Sequence, residues 1–122
     1  MGLDMYAHTM AVKPSTETDF EIEGEKEEIF YWRKHPDLHG WMENLYRKKG
    51  GKEEVFNLVT LHLTTEDLDQ LESDVKNAFL PPTTGFFFGT SDDDDMATDL
   101  EFIKKAREAI ADGLFIYYTS WW

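Results

Sequence analysis

The chain contains no cysteine. Disulfides, thiolate metal sites and a cysteine nucleophile are thereby excluded, and stability has to come from packing. Long apolar runs are also missing: none approaches the roughly 20 residues that span a bilayer, and the first residues do not follow the basic-then-apolar order of a signal peptide. A cytoplasmic protein with no membrane partner is expected. Basic residues are scarce, 12 against 25 acidic ones, for a formal charge of −13. A field of that sign repels nucleic acid and anionic lipid and attracts cations. Direct nucleic-acid binding is disfavoured, and a protein with a basic surface is the partner that fits.

Apolar residues make up 41% of the 122 and aromatic residues 15%. That is enough for one core and too short a chain for two, so residues 1–122 read as a single domain, folding alone or as a small oligomer. The charge is uneven. Glu17 to Glu28 holds seven acids and one base, whereas Arg33 to Lys52 carries six of the 12 basic residues.

The opening "MGLDMYAHTMAV" puts Leu3, Met5 and Ala7 on one parity and Tyr6 and His8 on the other, which is a strand pattern. Residues 13–29, broken by Pro14 and rich in acids, read as an exposed excursion or edge hairpin. Pro36 and Asp37 suit the first turn of a helix carrying Leu38, Trp41, Met42 and Leu45 as a stripe, with Gly50 as its left-handed cap. "EEVFNLVTLHL" is apolar on both parities and predicts a central strand. Thr64 and Asp67 form a capping-box pattern for a second helix, buried through Leu68, Leu71, Val75, Ala78 and Phe79 and ended by Pro81 and Pro82. A third helix carries Met96, Leu100, Ile103, Ala106 and Ile110, with Gly113 closing it, and "LFIYYTSWW" is a last strand. The expected fold is α+β: a small antiparallel or mixed sheet of three to five strands with about three helices packed mainly on one face.

No segment carries a reaction motif. Ser15, Ser73, Ser91 and Ser120 lie in no nucleophile elbow, so a non-catalytic role is favoured. The run Asp92, Asp93, Asp94, Asp95 offers oxygen ligands. A calcium loop beginning at Asp92 would, however, need glycine where Ala97 stands and an acid where Ile103 stands. The calcium-loop pattern fails, so the run reads as acids at a helix start or as a partner-facing patch, with cation binding as the alternative. In "GFFFG", residues 85–89, extended geometry sends Phe87 opposite to Phe86 and Phe88, so one side anchors in the core and the other meets solvent or a partner. No phosphate-cradling loop occurs, and no cofactor is implied. His35 and His39 are four apart, but the metalloprotease glutamate is missing between them. "YWRKHPDLHGW" is the densest candidate site: Arg33 and Lys34 near a helix start could hold an anion, with Tyr31, Trp32, His39 and Trp41 around it. That site is the alternative to macromolecule binding, a small-molecule, phosphate or nucleotide site; the plainer reading is that the two cations offset the acids before them.

Taken together, "MGLDMYA", "YWRKHPDLHGWMENLYR", "LPPTTGFFFG" and the terminal "YYTSWW" resemble a family of small proteins of bacteria and their phages that open Met-Gly-Leu-Asp-Met-Tyr. The resemblance spans nearly the whole chain. It implies that Asp4, Tyr6, Tyr31, Trp32, Arg33, Lys34, His39, Trp41, Gly85, Phe87, Gly89 and Trp121 sit at the family's motif positions. It also implies a setting of host interaction or counter-defence. Members are sometimes labelled phosphoglycerate kinase, which resembles two large nucleotide-binding domains that 122 residues cannot supply.

Overall fold

In a computed structural model that describes residues 2–83 and 95–122, the chain is an α+β domain. Its elements run β1 (Asp4–Met10), β2 (Lys26–Arg33), α1 (Pro36–Lys48), β3 (Leu61–Leu63), α2 (Thr65–Lys76), α3 (Asp95–Ala111) and β4 (Phe115–Trp121). The four strands form one sheet in the order β2-β1-β4-β3, every pairing antiparallel.

Strand alternation decides which face is buried. Met5 stands beside Trp32 and Ser120, and Ala7 beside Phe30 and Tyr118, so one parity of three strands points the same way. That face meets Leu38, Met42, Leu68, Leu71, Val75, Phe102, Ile103 and Ala106 from the three helices in a single core. Fully buried side chains such as Phe102 and Leu71 each stabilise the fold by about 1.5–3 kcal/mol. The opposite parity carries Asp4, Tyr6 and His8, on a face that no helix of the described residues covers. A small second cluster of Met10, Phe20, Tyr117 and Phe115 closes one end of it.

All three helices end in the same way. At each, the two residues beyond the cap donate their N–H groups back to carbonyls of the last turn, as Gly50 to Arg47 with Gly51 to Tyr46, and Gly113 to Ile110 with Leu114 to Ala109. Gly50 and Gly113 have φ of 94° and 87°, the left-handed conformation expected of them. In α2 the same position is Ala78, with φ 57°. Its N–H reaches Val75 while that of Phe79 reaches Asp74. The helix therefore stops before the two prolines, and Phe79, expected on the buried face, is 70% exposed. The start of α2 is the capping box read from Thr64 and Asp67.

Two further expectations are corrected. The predicted central strand is reduced to Leu61–Leu63, at the sheet edge. The preceding residues follow β4 without forming a ladder: Asn57 pairs its side-chain amide with Trp122 N–H and C=O, and Leu58 adopts φ 60°. Phe56 and Val59, three apart, fill the core from this irregular run, so two apolar faces were needed without a strand. In α3 the buried stripe is Asp99, Phe102, Ile103 and Ala106, and Met96 is exposed. The helix is turned by Asp99, whose carboxylate is held inside the protein by Trp32 and His35.

Candidate functional site: the open face of the sheet

Antiparallel register assembles the uncovered face from three strands. Asp4 lies between Arg33 and Trp121, Tyr6 between Tyr31 and Thr119, and His8 between Glu28 and Tyr117. Tyr6 and Tyr31 are tilted rings 5.3 Å apart, and the His8 imidazole stacks on Tyr117 at 5.0 Å with 9° between the planes. The Tyr31 hydroxyl donates to Asp4 at 2.5 Å. Tyr31 and Trp121 are 44% and 55% exposed, an unusual outlay of aromatic surface. A pocket of about 140 Å³ lined by Gly2, Asp4, Trp121 and Trp122 adjoins them.

The electrostatics keep the rings of this face uncharged. The Asp4 carboxylate holds the Tyr31 pKa above its usual value, and burial together with Asp4 and Glu28 does the same for Tyr6. Burial lowers the pKa of His8 despite the opposing charge of Glu28. The face thus presents neutral rings beside carboxylates at neutral pH. Rings of that kind attract a cation to their faces, worth about 0.5–1 kcal/mol each at exposed sites, and a neighbouring carboxylate adds a charged hydrogen bond.

The residues of the "YWRKHPDLHGW" block divide between surface and interior. Trp32 is in the core and its indole N–H donates to Asp99 at 3.1 Å. Trp41 donates to Asp74 at 2.9 Å, and His39, fully buried, bonds through Nδ1 to the Tyr118 hydroxyl at 2.7 Å. Arg33 and Lys34 remain exposed, and both side chains come within 3.2 Å of where a Cβ on Gly2 would lie. Lys34 makes the turn from β2 into α1 with φ 57°, its N–H held by the Leu3 carbonyl. Of the residues named from sequence, the fold brings Asp4, Tyr6, Tyr31 and Arg33 together and places Trp32, His39 and Trp41 in the packed interior. Phe87, Asp92, Asp93 and Asp94 lie outside the described residues. Asp95 opens α3, with its carboxylate 3.4 Å from His35 Nδ1.

A histidine–carboxylate pair invisible to motif reading lies inside the protein. His35 Nε2 is 2.8 Å from Asp99, and both side chains are buried. Burial alone would lower the His35 pKa; the hydrogen bond to Asp99 and the charges of Asp99, Asp95 and Asp37 outweigh it and raise it. The pair ties α3 to the β2–α1 turn. Asp99 escaped notice because a carboxylate on an apolar helix face resembles a solvated residue; the informative sign is its position three residues before Phe102. Among the described residues, no group of three or more histidines and acids is arranged to hold a metal. Set against protein-family models, curated proteins and solved structures, the chain matches none of them.

Proposed function

We propose that the protein is a non-catalytic binder of another protein, which it engages by a basic surface laid on the open face of the sheet. The observation that carries this reading is the exposed pair Tyr31 and Trp121, with half-buried Tyr6 between them, beside Asp4 and Glu28, on a chain of charge −13. Lysine or arginine side chains of the partner stack on the rings and pair with the carboxylates, and the long-range field speeds the encounter. Host interaction or counter-defence is the biological setting implied by the resemblance to bacterial and phage proteins.

The test is fluorescence anisotropy with a labelled octapeptide of alternating lysine and valine, against a glutamate–valine counterpart. The basic peptide is expected to bind at low salt and to weaken as the Debye length falls to about 8 Å near physiological ionic strength. Replacing Tyr31 and Trp121 together by alanine should weaken it by roughly tenfold, the equivalent of about 1.4 kcal/mol. Equal affinity in that variant would reduce the binding to diffuse charge attraction and defeat the proposal.

A second reading rests on Arg33 and Lys34, two cations converging at Gly2 with no carboxylate within ion-pair distance among the described residues. They would hold a small phosphate or carboxylate. A thermal-shift screen of phosphorylated metabolites with native protein and Arg33→Ala tests it, since ligand at a hundred times its dissociation constant adds about 2.7 kcal/mol. A screen silent for both proteins removes this alternative.

A further inference from the structure

The two edges of the sheet are finished differently. On the β3 side the edge is short and covered: Thr18 bridges to Leu61, Asp19 N–H donates to the Thr60 carbonyl, His62 N–H donates to the Glu17 carbonyl, and Lys49 binds the His62 carbonyl. On the β2 side the edge is eight residues long. Its inward bonds can be placed by parity. Lys34 N–H meets the Leu3 carbonyl, so Trp32 and Phe30 also turn their backbone groups toward β1, and Tyr31 and Arg33 turn theirs outward. The register shift between Ala7 and His8 skips Ile29 and inverts that parity. Ala11 N–H meets the Glu25 carbonyl, so Glu27 points inward, and Lys26 and Glu28 point outward. Among the described residues no backbone group pairs with this outer side.

An unpaired row of N–H and C=O groups on a strand of this length is a template for one more strand. The charges and bulge at Lys26 to Ile29 blunt its first half; Phe30 to Arg33 keeps a regular register with β1 and carries a single charge, Arg33. We infer that the outer edge of β2 accepts an extended segment of the partner as a fifth strand, and that this segment alternates basic and apolar residues. The inference rests on the binding reading above and gives it a geometry. In a strand paired antiparallel to β2, residues opposite Tyr31 and Arg33 project onto the open face. There a lysine or arginine opposite Tyr31 reaches that ring, Asp4 and Glu28; the position opposite Arg33 contributes its backbone N–H and C=O. The intervening residues project onto the other face, beside the half-buried ring of Phe30. Charge selects this occupant over a second copy of the chain: Glu27 and Glu28 are exposed on the strand itself, and each copy carries −13.

Backbone chemistry separates edge pairing from attraction to the face. The lysine–valine octapeptide is compared with the same peptide N-methylated at every lysine, which keeps the charge and removes the N–H groups that would meet Tyr31 and Arg33. Methylation is expected to weaken binding by roughly tenfold or more. Arg33→Pro deletes one outward N–H at an edge position that tolerates proline, and should weaken the unmethylated peptide, whereas Arg33→Ala should not. If methylated and unmethylated peptides bind alike, the strand is not added at the edge and this inference is overturned, with the face reading left standing. If neither peptide binds, the binding reading itself falls and takes this one with it. Sedimentation of the protein alone covers the rival occupant: a dimer that Arg33→Pro dissolves would assign the edge to a second copy and overturn the basic strand.

Discussion

His39 gives the fold a defined acid sensitivity. Its imidazole is fully buried among Phe56, Tyr118 and Trp122, and burial lowers its pKa from 6.5 to about 4. The unfolded chain takes up a proton near pH 6.5 that the folded chain refuses until about pH 4. Stability is therefore complete above 6.5 and lost progressively as pH falls from there toward 4. At about 1.36 kcal/mol per pH unit, the whole window is worth about 3 kcal/mol, a large share of the 5–15 kcal/mol typical of a domain. His35 has the opposite sign: its raised pKa contributes stability that is fully present below 6.5 and is lost as pH rises through the folded value. These two residues together place a maximum of stability near pH 6.5. The assay is urea unfolding by tryptophan fluorescence across pH 4.5 to 7.5, in native protein and in His39→Asn, whose amide can still bond Tyr118. The variant is expected to be less stable throughout, but its stability should fall less steeply below pH 6.5, by up to about 1.4 kcal/mol per pH unit. Parallel curves would refute the assignment of the acid sensitivity to His39.

Three other outcomes follow from contacts already described. Asp99→Asn leaves His35 facing a neutral amide in the interior; a loss of about 3–5 kcal/mol is expected in urea unfolding, with the decline in stability above pH 6.5 abolished. Gly40→Ala would put a Cβ 1.9 Å from the Thr83 hydroxyl, whose backbone N–H is fixed by Asp37, so thermal melts should show a loss of about 1–3 kcal/mol, part of it recovered by Thr83→Ala. Ala78→Gly removes the cost of a left-handed residue that carries a Cβ; stability should rise by about 0.5–1 kcal/mol, and an unchanged or lower midpoint in urea would contradict the cap geometry.

Much of the fold was legible in short stretches. Pro36, Thr64 with Asp67, Gly50 and Gly113 mark helix ends through chemistry confined to one turn, and the alternation of Met5, Tyr6, Ala7 and His8 marks a strand without reference to anything distant. Where a local sign was replaced by an equivalent, reading failed: the cap at Ala78 is glycine's geometry without glycine, and Asn57 supplies with a side chain the bonds that a strand would supply with its backbone. Met96, expected on the buried stripe, is exposed and Asp99 lies inside because a distant pair, Trp32 and His35, decided which side of α3 faces inward.

By itself, the sequence determined the class of fold, the strongly anionic surface and the aromatic residues available for a site, since these follow from composition and from periods of two and 3.6 residues. Only the tertiary structure decided which aromatics face solvent. Tyr31 and Trp32 are adjacent in the chain and lie on opposite faces of the sheet, and Asp4 meets Arg33 from the next strand and Trp121 from the far end of the sequence. Pairing register is a long-range property: sliding a strand by one residue would exchange the buried and open faces, and no stretch of chain shorter than the whole sheet fixes that choice.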